Sequence, residues 1–78
     1  MTDTPPMPRL TLGQYRHYKG QHYQVIGLVH HCETLEPLVL YRALYGEQGL
    51  WVRPYAMFYE TVLVDGVQVP RFALVEAI

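Results

Sequence analysis

The chain has 78 residues, half of them hydrophobic and 13% aromatic, with a formal charge of −1. Such a chain makes one domain, which hides roughly 60 to 65% of its unfolded surface, and it is too apolar to remain disordered. The charge excludes a global pull towards nucleic acid or anionic membrane, the single Cys32 excludes an internal disulfide and a cysteine-rich zinc site, and no stretch approaches the roughly 20 apolar residues of a membrane-spanning helix.

Met1-Thr2-Asp3-Thr4-Pro5-Pro6 offers neither a basic segment nor an apolar run for export, so a cytoplasmic location is expected. Residues 1–10 hold three prolines and no sustained period, which predicts a flexible N-terminal segment or one laid along the surface. Residues 11–78 are expected to form a single small β-barrel domain. From Tyr15 onward, β-branched and aromatic residues run in short stretches cut by turn residues, the pattern of consecutive strands. Tyr15 to Lys19 is the first, with a turn at Lys19-Gly20-Gln21. His22 to His30 is the second, and Gly27 inside it predicts a one-residue bulge that moves Leu28 and His30 onto the Tyr23 and Val25 face.

His31 to Pro37 reads as a polar loop. Leu38 to Tyr45 is the third strand, apolar on both faces and therefore expected to be central, with Arg42 reaching past its neighbours or paired to an acid. Gly46-Glu47-Gln48-Gly49 turns the chain into Leu50 to Arg53. Pro54 suits the first turn of a helix, so one helical turn near residues 54–60 is predicted, with Met57 and Phe58 plugging one end of the core. Thr61 to Val64 and Val67 to Val69 flank Asp65-Gly66, a two-residue hairpin signal. Arg71 to Val75 supplies a last strand, Phe72 and Leu74 sharing one face.

Five or six short strands with one late helical turn predict a mainly β fold, a small, strongly bent β-barrel or roll. An SH3-like barrel is the favoured form, and a partly open roll with an extra terminal hairpin is the alternative. The run Tyr15-Arg16-His17-Tyr18-Lys19-Gly20, Tyr23-Gln24-Val25, His30, Glu33-Thr34, Glu36, Val39, Tyr41 to Tyr45, Trp51-Val52-Arg53-Pro54, Met57-Phe58, Glu60, Val62 and Pro70-Arg71-Phe72 resembles the bacterial domain-of-unknown-function family DUF1653. The resemblance spans about residues 14 to 75 and implies a short bacterial protein; it brings no reaction, cofactor or partner. Cys32 departs from the small polar residue expected there, which argues against a role for its thiol.

His30, His31, Cys32 and Glu33 include every common metal-ligand type, but neighbours on extended chain point in opposite directions and no second pair supports them. No flanking amides equip Cys32 and His31 for thiol catalysis. Glu33 and Glu36 are accounted for by solvation or by pairing with Arg42 or Arg53. Gly46 and Gly49 lack the helix and lysine of a phosphate loop. No catalytic residue, metal or cofactor is therefore assigned.

The functional candidate is the group Tyr41, Arg42, Tyr45, Trp51 and Arg53, to which His30 and Glu33 are added. Flat rings beside guanidinium forks stack planar groups, clamp carboxylate or phosphate, or hold a peptide. The competing assignment puts Trp51 and Tyr41 in the core and pairs the arginines with Glu33, Glu36 or Glu60, since so small a domain needs its large rings inside. The favoured function is a non-catalytic binding or interaction module whose concave face bears Trp51, Arg53, Tyr41, His30 and Tyr18, for a protein segment or a small anionic or aromatic ligand. Single-stranded nucleic acid is not favoured, because six basic residues face seven acids. The alternatives are a small enzyme, with His30 as base and Glu33 as its orienter in a cleft between two copies, and a purely structural partner with an apolar patch. A monomer or weak homodimer through the Pro70 to Val75 edge is expected.

Overall fold

A computed structural model describes residues 7–78. Its strands are β1 (Gly13–His17), β2 (His22–His30), β3 (Pro37–Ala43), β4 (Leu50–Pro54), β5 (Thr61–Val64), β6 (Val67–Pro70) and β7 (Phe72–Ala77). One helical turn, α1 (Tyr55–Phe58), follows Pro54. Five strands form an antiparallel sheet in the order β4-β3-β2-β1-β7, and β5 and β6 form a separate hairpin. The fold is mainly β with antiparallel sheets, as the strand pattern predicts. It is an open roll and not a closed barrel, because β4 and β7 remain the two edges of the sheet and do not pair.

Local chemistry accounts for the turns. Asp65 and Gly66 both take positive φ, 49° and 79°, while Val64 faces Val67, which is the two-residue hairpin their sequence predicts. Gly27 marks the predicted bulge: Val25 faces Tyr41 and Leu28 faces Val39, with Ile26 left outside the ladder. Leu28 and His30 thereby join the Tyr23 and Val25 face. At Gly13 (φ 147°) a Cβ would overlap the Glu76 carbonyl oxygen, so a glycine is what lets β7 close onto β1.

The core lies on the inner face of the roll and consists of Tyr15, Tyr23, Val25, Val39, Tyr41, Ala43, Phe58 and Phe72, with Leu10, Leu28 and Tyr55 packed against it. Rings dominate, so edge and face geometry matters. Phe58 stacks on Phe72 with centroids 4.3 Å apart and 7° between planes, and Tyr15 meets Phe58 edge-on at 5.3 Å. Two of the buried phenols carry their hydroxyls to partners: Tyr15 donates to the Thr11 carbonyl at 2.6 Å, and Tyr23 shares a bond of 2.9 Å with Tyr45. Of the pair expected to plug the core, Phe58 is buried and Met57 is exposed, since a four-residue turn presents only one of two successive side chains inward. Likewise Phe72 is core while Leu74 is exposed, near the free edge.

β3 is an interior strand as expected, with Val39, Tyr41 and Ala43 buried; Leu38, Leu40 and Arg42 on its other face are half-buried. It ends at Ala43, so Tyr45 belongs to the following loop. Residues 7–10 run along the surface: the Arg9 carbonyl accepts from the Tyr55 hydroxyl at 3.3 Å and Leu10 touches the core. The flexible segment expected over residues 1–10 otherwise falls on residues 1–6, outside the described part. Among the described residues no helix is long and apolar enough to cross a membrane.

Candidate functional site

The β3–β4 ladder sorts the candidate residues. Tyr41 faces Trp51, Val39 faces Arg53 and Arg42 faces Leu50, so Trp51 and Arg53 share the inner face with Tyr41 while Arg42 points to the other side. The connecting loop spans residues 44–49, two residues longer than the predicted turn, which puts Trp51 opposite Tyr41 and not Tyr45 or Leu44. Tyr41 is core at 6% exposure, whereas Trp51 is 60% exposed. The core assignment expected of Trp51 is therefore overturned: β4 is an edge strand, and no element beyond it covers the indole. Trp51 instead leans over Gly49 and, with Ala43, Tyr45 and the 46–49 loop, lines a shallow groove of about 270 Å³. Arg42 is tied down elsewhere, its Nη1 donating to the Gln48 carbonyl at 3.0 Å.

Arg53 reaches inward across the roll. Its guanidinium carbon lies 5.6 Å from the ring centre of Phe72 on the opposite edge strand. Phe72 also receives the edge of His17 at 5.0 Å, and His17 packs against Tyr18 at 4.5 Å and Tyr23 at 6.3 Å. Arg71 precedes Phe72; its N–H donates to the Glu60 carbonyl and its carbonyl accepts from the Tyr18 N–H, both at 2.9 Å. The Nε atoms of Arg53 and Arg71 are enclosed and have no hydrogen-bond partner. Among the described residues no carboxylate pairs with Arg42, Arg53 or Arg71, so the expected pairing with Glu33, Glu36 or Glu60 is not made.

Burial, then the charges of Arg53, Arg71 and Lys19, hold the His17 imidazole below its usual range, so the ring is neutral at pH 7. Its Nδ1 accepts from the Lys19 N–H at 3.2 Å, which assigns the ring proton to Nε2. Burial and the bond to Tyr45 push the Tyr23 phenol up to about 12.

His30 and Glu33 sit at the far end of β2. His30 faces Pro37 and shares the inner face one alternation beyond Leu28, while Glu33 is exposed in the following turn. That turn is held by His31, whose carbonyl accepts from the Leu35 N–H at 2.9 Å and whose Nδ1 accepts from the Glu33 and Thr34 N–H groups. The turn gathers the ligand atoms of His31, Cys32 and Glu33 to within 4.8 Å, a convergence that the extended reading of this segment does not predict. Cys32 and Glu33 are exposed and His31 is half-buried, and of the two imidazole nitrogens of His31 only Nε2 remains open to an ion. His22 is not in this group: it starts β2, with Nδ1 2.6 Å from the Gln14 amide nitrogen, and eight residues of strand hold it about 26 Å from His30.

The site thus gains His17 and Arg71, which the sequence reading leaves outside its aromatic and arginine group. Alternation from Tyr15 places His17 inward, and that signal is legible. The pairing of His17 with Phe72 joins the two ends of the chain, and no local pattern announces it.

The family model described as "Protein of unknown function (DUF1653)" matches residues 13–74. A crystal structure of a DUF1653 protein from Bordetella bronchiseptica is similar to this chain, with 39% identity, a TM-score of 0.81, and coverage of 88% of this chain and 91% of that one. No curated protein matches the chain.

Proposed function

We propose that this chain, which belongs to the DUF1653 family of proteins of unknown function, is a non-catalytic binding module whose contact surface is the inner face near the β4 edge. Trp51, Tyr45 and Arg53 supply that surface, and buried Tyr41 sets the strand beneath it. The observation that carries this reading is the exposure of Trp51: an indole 60% open to solvent, beside a half-exposed Tyr45, contributes little to the core and much to a contact. Rings of this kind offer large area at low entropic cost, and Arg53 adds directed donors. The ligand class is a protein segment or a small anionic or aromatic molecule. The order of elements, with a last strand returning beside the first, supports an SH3-like reading of the roll; the β5–β6 hairpin between the helical turn and that strand is its departure.

Intrinsic fluorescence tests this directly, since Trp51 is the only tryptophan. Titration with short acidic peptides carrying one aromatic residue should give a saturable change, and oligothymidine only a weak one that salt abolishes. A flat response to every peptide contradicts the proposal.

A further inference from the structure

The roll draws positive charge together around His17 and the Phe72 ring it packs on, without neutralising it. Arg53 arrives from β4 and lies over the ring, and Arg71 arrives from the bend that precedes β7. His17 packs edge-on against the same ring, and Lys19 lies over Tyr18, its Nζ 5.8 Å from a ring that itself packs on His17. Like charges gathered at one place repel unless a counter-charge joins them. No carboxylate of the described residues does so; Glu60 gives Arg71 its carbonyl and leaves its side chain in solvent. The enclosed Nε–H groups of both arginines also lack an acceptor, an expensive condition for a buried donor.

We infer that this end of the roll is an oxyanion seat, in which the guanidinium groups of Arg53 and Arg71 hold a carboxylate or phosphate group on the face that carries Trp51. The inference rests on the binding role proposed above and names the chemistry of the ligand. A guanidinium presents its donors as a planar fork that fits the oxygens of either anion, and the neutral imidazole of His17 adds an Nε2–H donor to the cluster. Phe72, locked between Phe58 and Tyr23, fixes the plane on which Arg53 rests. The Trp51 indole, two residues from Arg53 on the same strand face, then favours an anion attached to an aromatic or other flat group.

The test uses the full chain and three probes: inorganic phosphate, benzoate, and benzamide as the uncharged counterpart of benzoate. His17 ring resonances and the Trp51 indole resonance are followed together. Phosphate and benzoate should move the His17 signals saturably and raise its pKa, because a bound anion favours the imidazolium; benzamide should not. Arg53→Gln and Arg71→Gln should each weaken benzoate binding by about tenfold or more, the loss of one charge-assisted hydrogen bond. Arg53→Lys and Arg71→Lys, which keep the charge and lose the fork, should fall between, and unchanged circular dichroism should show that all four remain folded. Equal responses of His17 in the parent chain and the Gln variants overturn the seat. If benzamide moves Trp51 as strongly as benzoate and the arginine variants change nothing, the seat falls and the contact face stands. Silence of both residues towards all three probes overturns the seat and the binding face together.

Discussion

Arg53 on one edge strand of the sheet holds its guanidinium carbon 5.6 Å from the ring centre of Phe72 on the other. The two strands exchange no ladder hydrogen bonds, so this contact, with the Tyr41–Phe72 approach of 6.2 Å, is how the open roll bridges its own mouth. A cation stacked on a ring adds about 0.5 to 2 kcal/mol, whereas the ring carries the packing. Phe72→Ala should therefore cost about 3 to 5 kcal/mol, and Arg53→Gln about 1 kcal/mol or less. Chemical denaturation of the two variants checks the ratio; equal losses would mean that the cation, and not the ring, holds the roll.

Trp51 supplies the opposite case. Because the indole is largely in solvent, Trp51→Ala should change stability by about 0.5 kcal/mol or less, the range for surface substitutions. Phe58→Ala, which removes a ring that is 3% exposed, should cost about 3 to 5 kcal/mol. Thermal melts of both decide the point, and a Trp51→Ala variant that fails to fold would restore the indole to the core.

His17 makes stability depend on pH on the acid side. Its folded pKa lies below the unfolded value, so below about 6.5 the unfolded chain binds more protons than the folded one. Stability should fall as pH drops from 7 to 5, and His17→Phe should flatten that part of the profile. The measurement is the melting temperature against pH. A profile that stays steep in His17→Phe would assign the effect to another group.

Tyr23 gives the alkaline counterpart. With its phenol pushed up to about 12, the folded chain holds a proton that the unfolded chain releases near 10, so stability should decline between those values. Tyr45→Phe removes the 2.9 Å bond between the two hydroxyls and should cost about 1 kcal/mol while lowering the Tyr23 pKa. Ultraviolet titration of the phenols tests both, and a Tyr23 that ionises with the exposed tyrosines would contradict the geometry.

Gly66 tests the hairpin. Its φ of 79° is open to glycine and strained for a β-branched residue, so Gly66→Val should destabilise by about 1 to 3 kcal/mol. Chemical denaturation measures the loss, and a neutral result would mean that the turn relaxes to another type.

Much of the fold is legible because its causes are local. The Gly27 bulge, the Asp65-Gly66 hairpin and the inward alternation of Tyr23 and Val25 each follow from residues a few positions apart. Closure was not legible in the same way. Whether β7 meets β4 or stops at β1 depends on the summed twist of five strands, and the exposure of Trp51 follows from that outcome alone. Phe72 and Arg53 lie 19 residues apart, with the helical turn and the hairpin between them, so their stacking has no sequence period. The expected arginine pair, Arg42 and Arg53, is split by alternation along one extended run, because Arg42 and Tyr41 necessarily face opposite ways. The other arginine whose charge reaches His17 along with Arg53 is Arg71, which no neighbouring residue marks.

The proposed seat is tested most directly by a map of backbone and side-chain chemical shifts during titration with benzoate. Saturable changes should be confined to the Trp51 indole, Tyr45, Arg53, Arg71 and His17. Changes centred on the His31 to Glu36 turn or on the β5–β6 hairpin, or no saturable change at all, would contradict it.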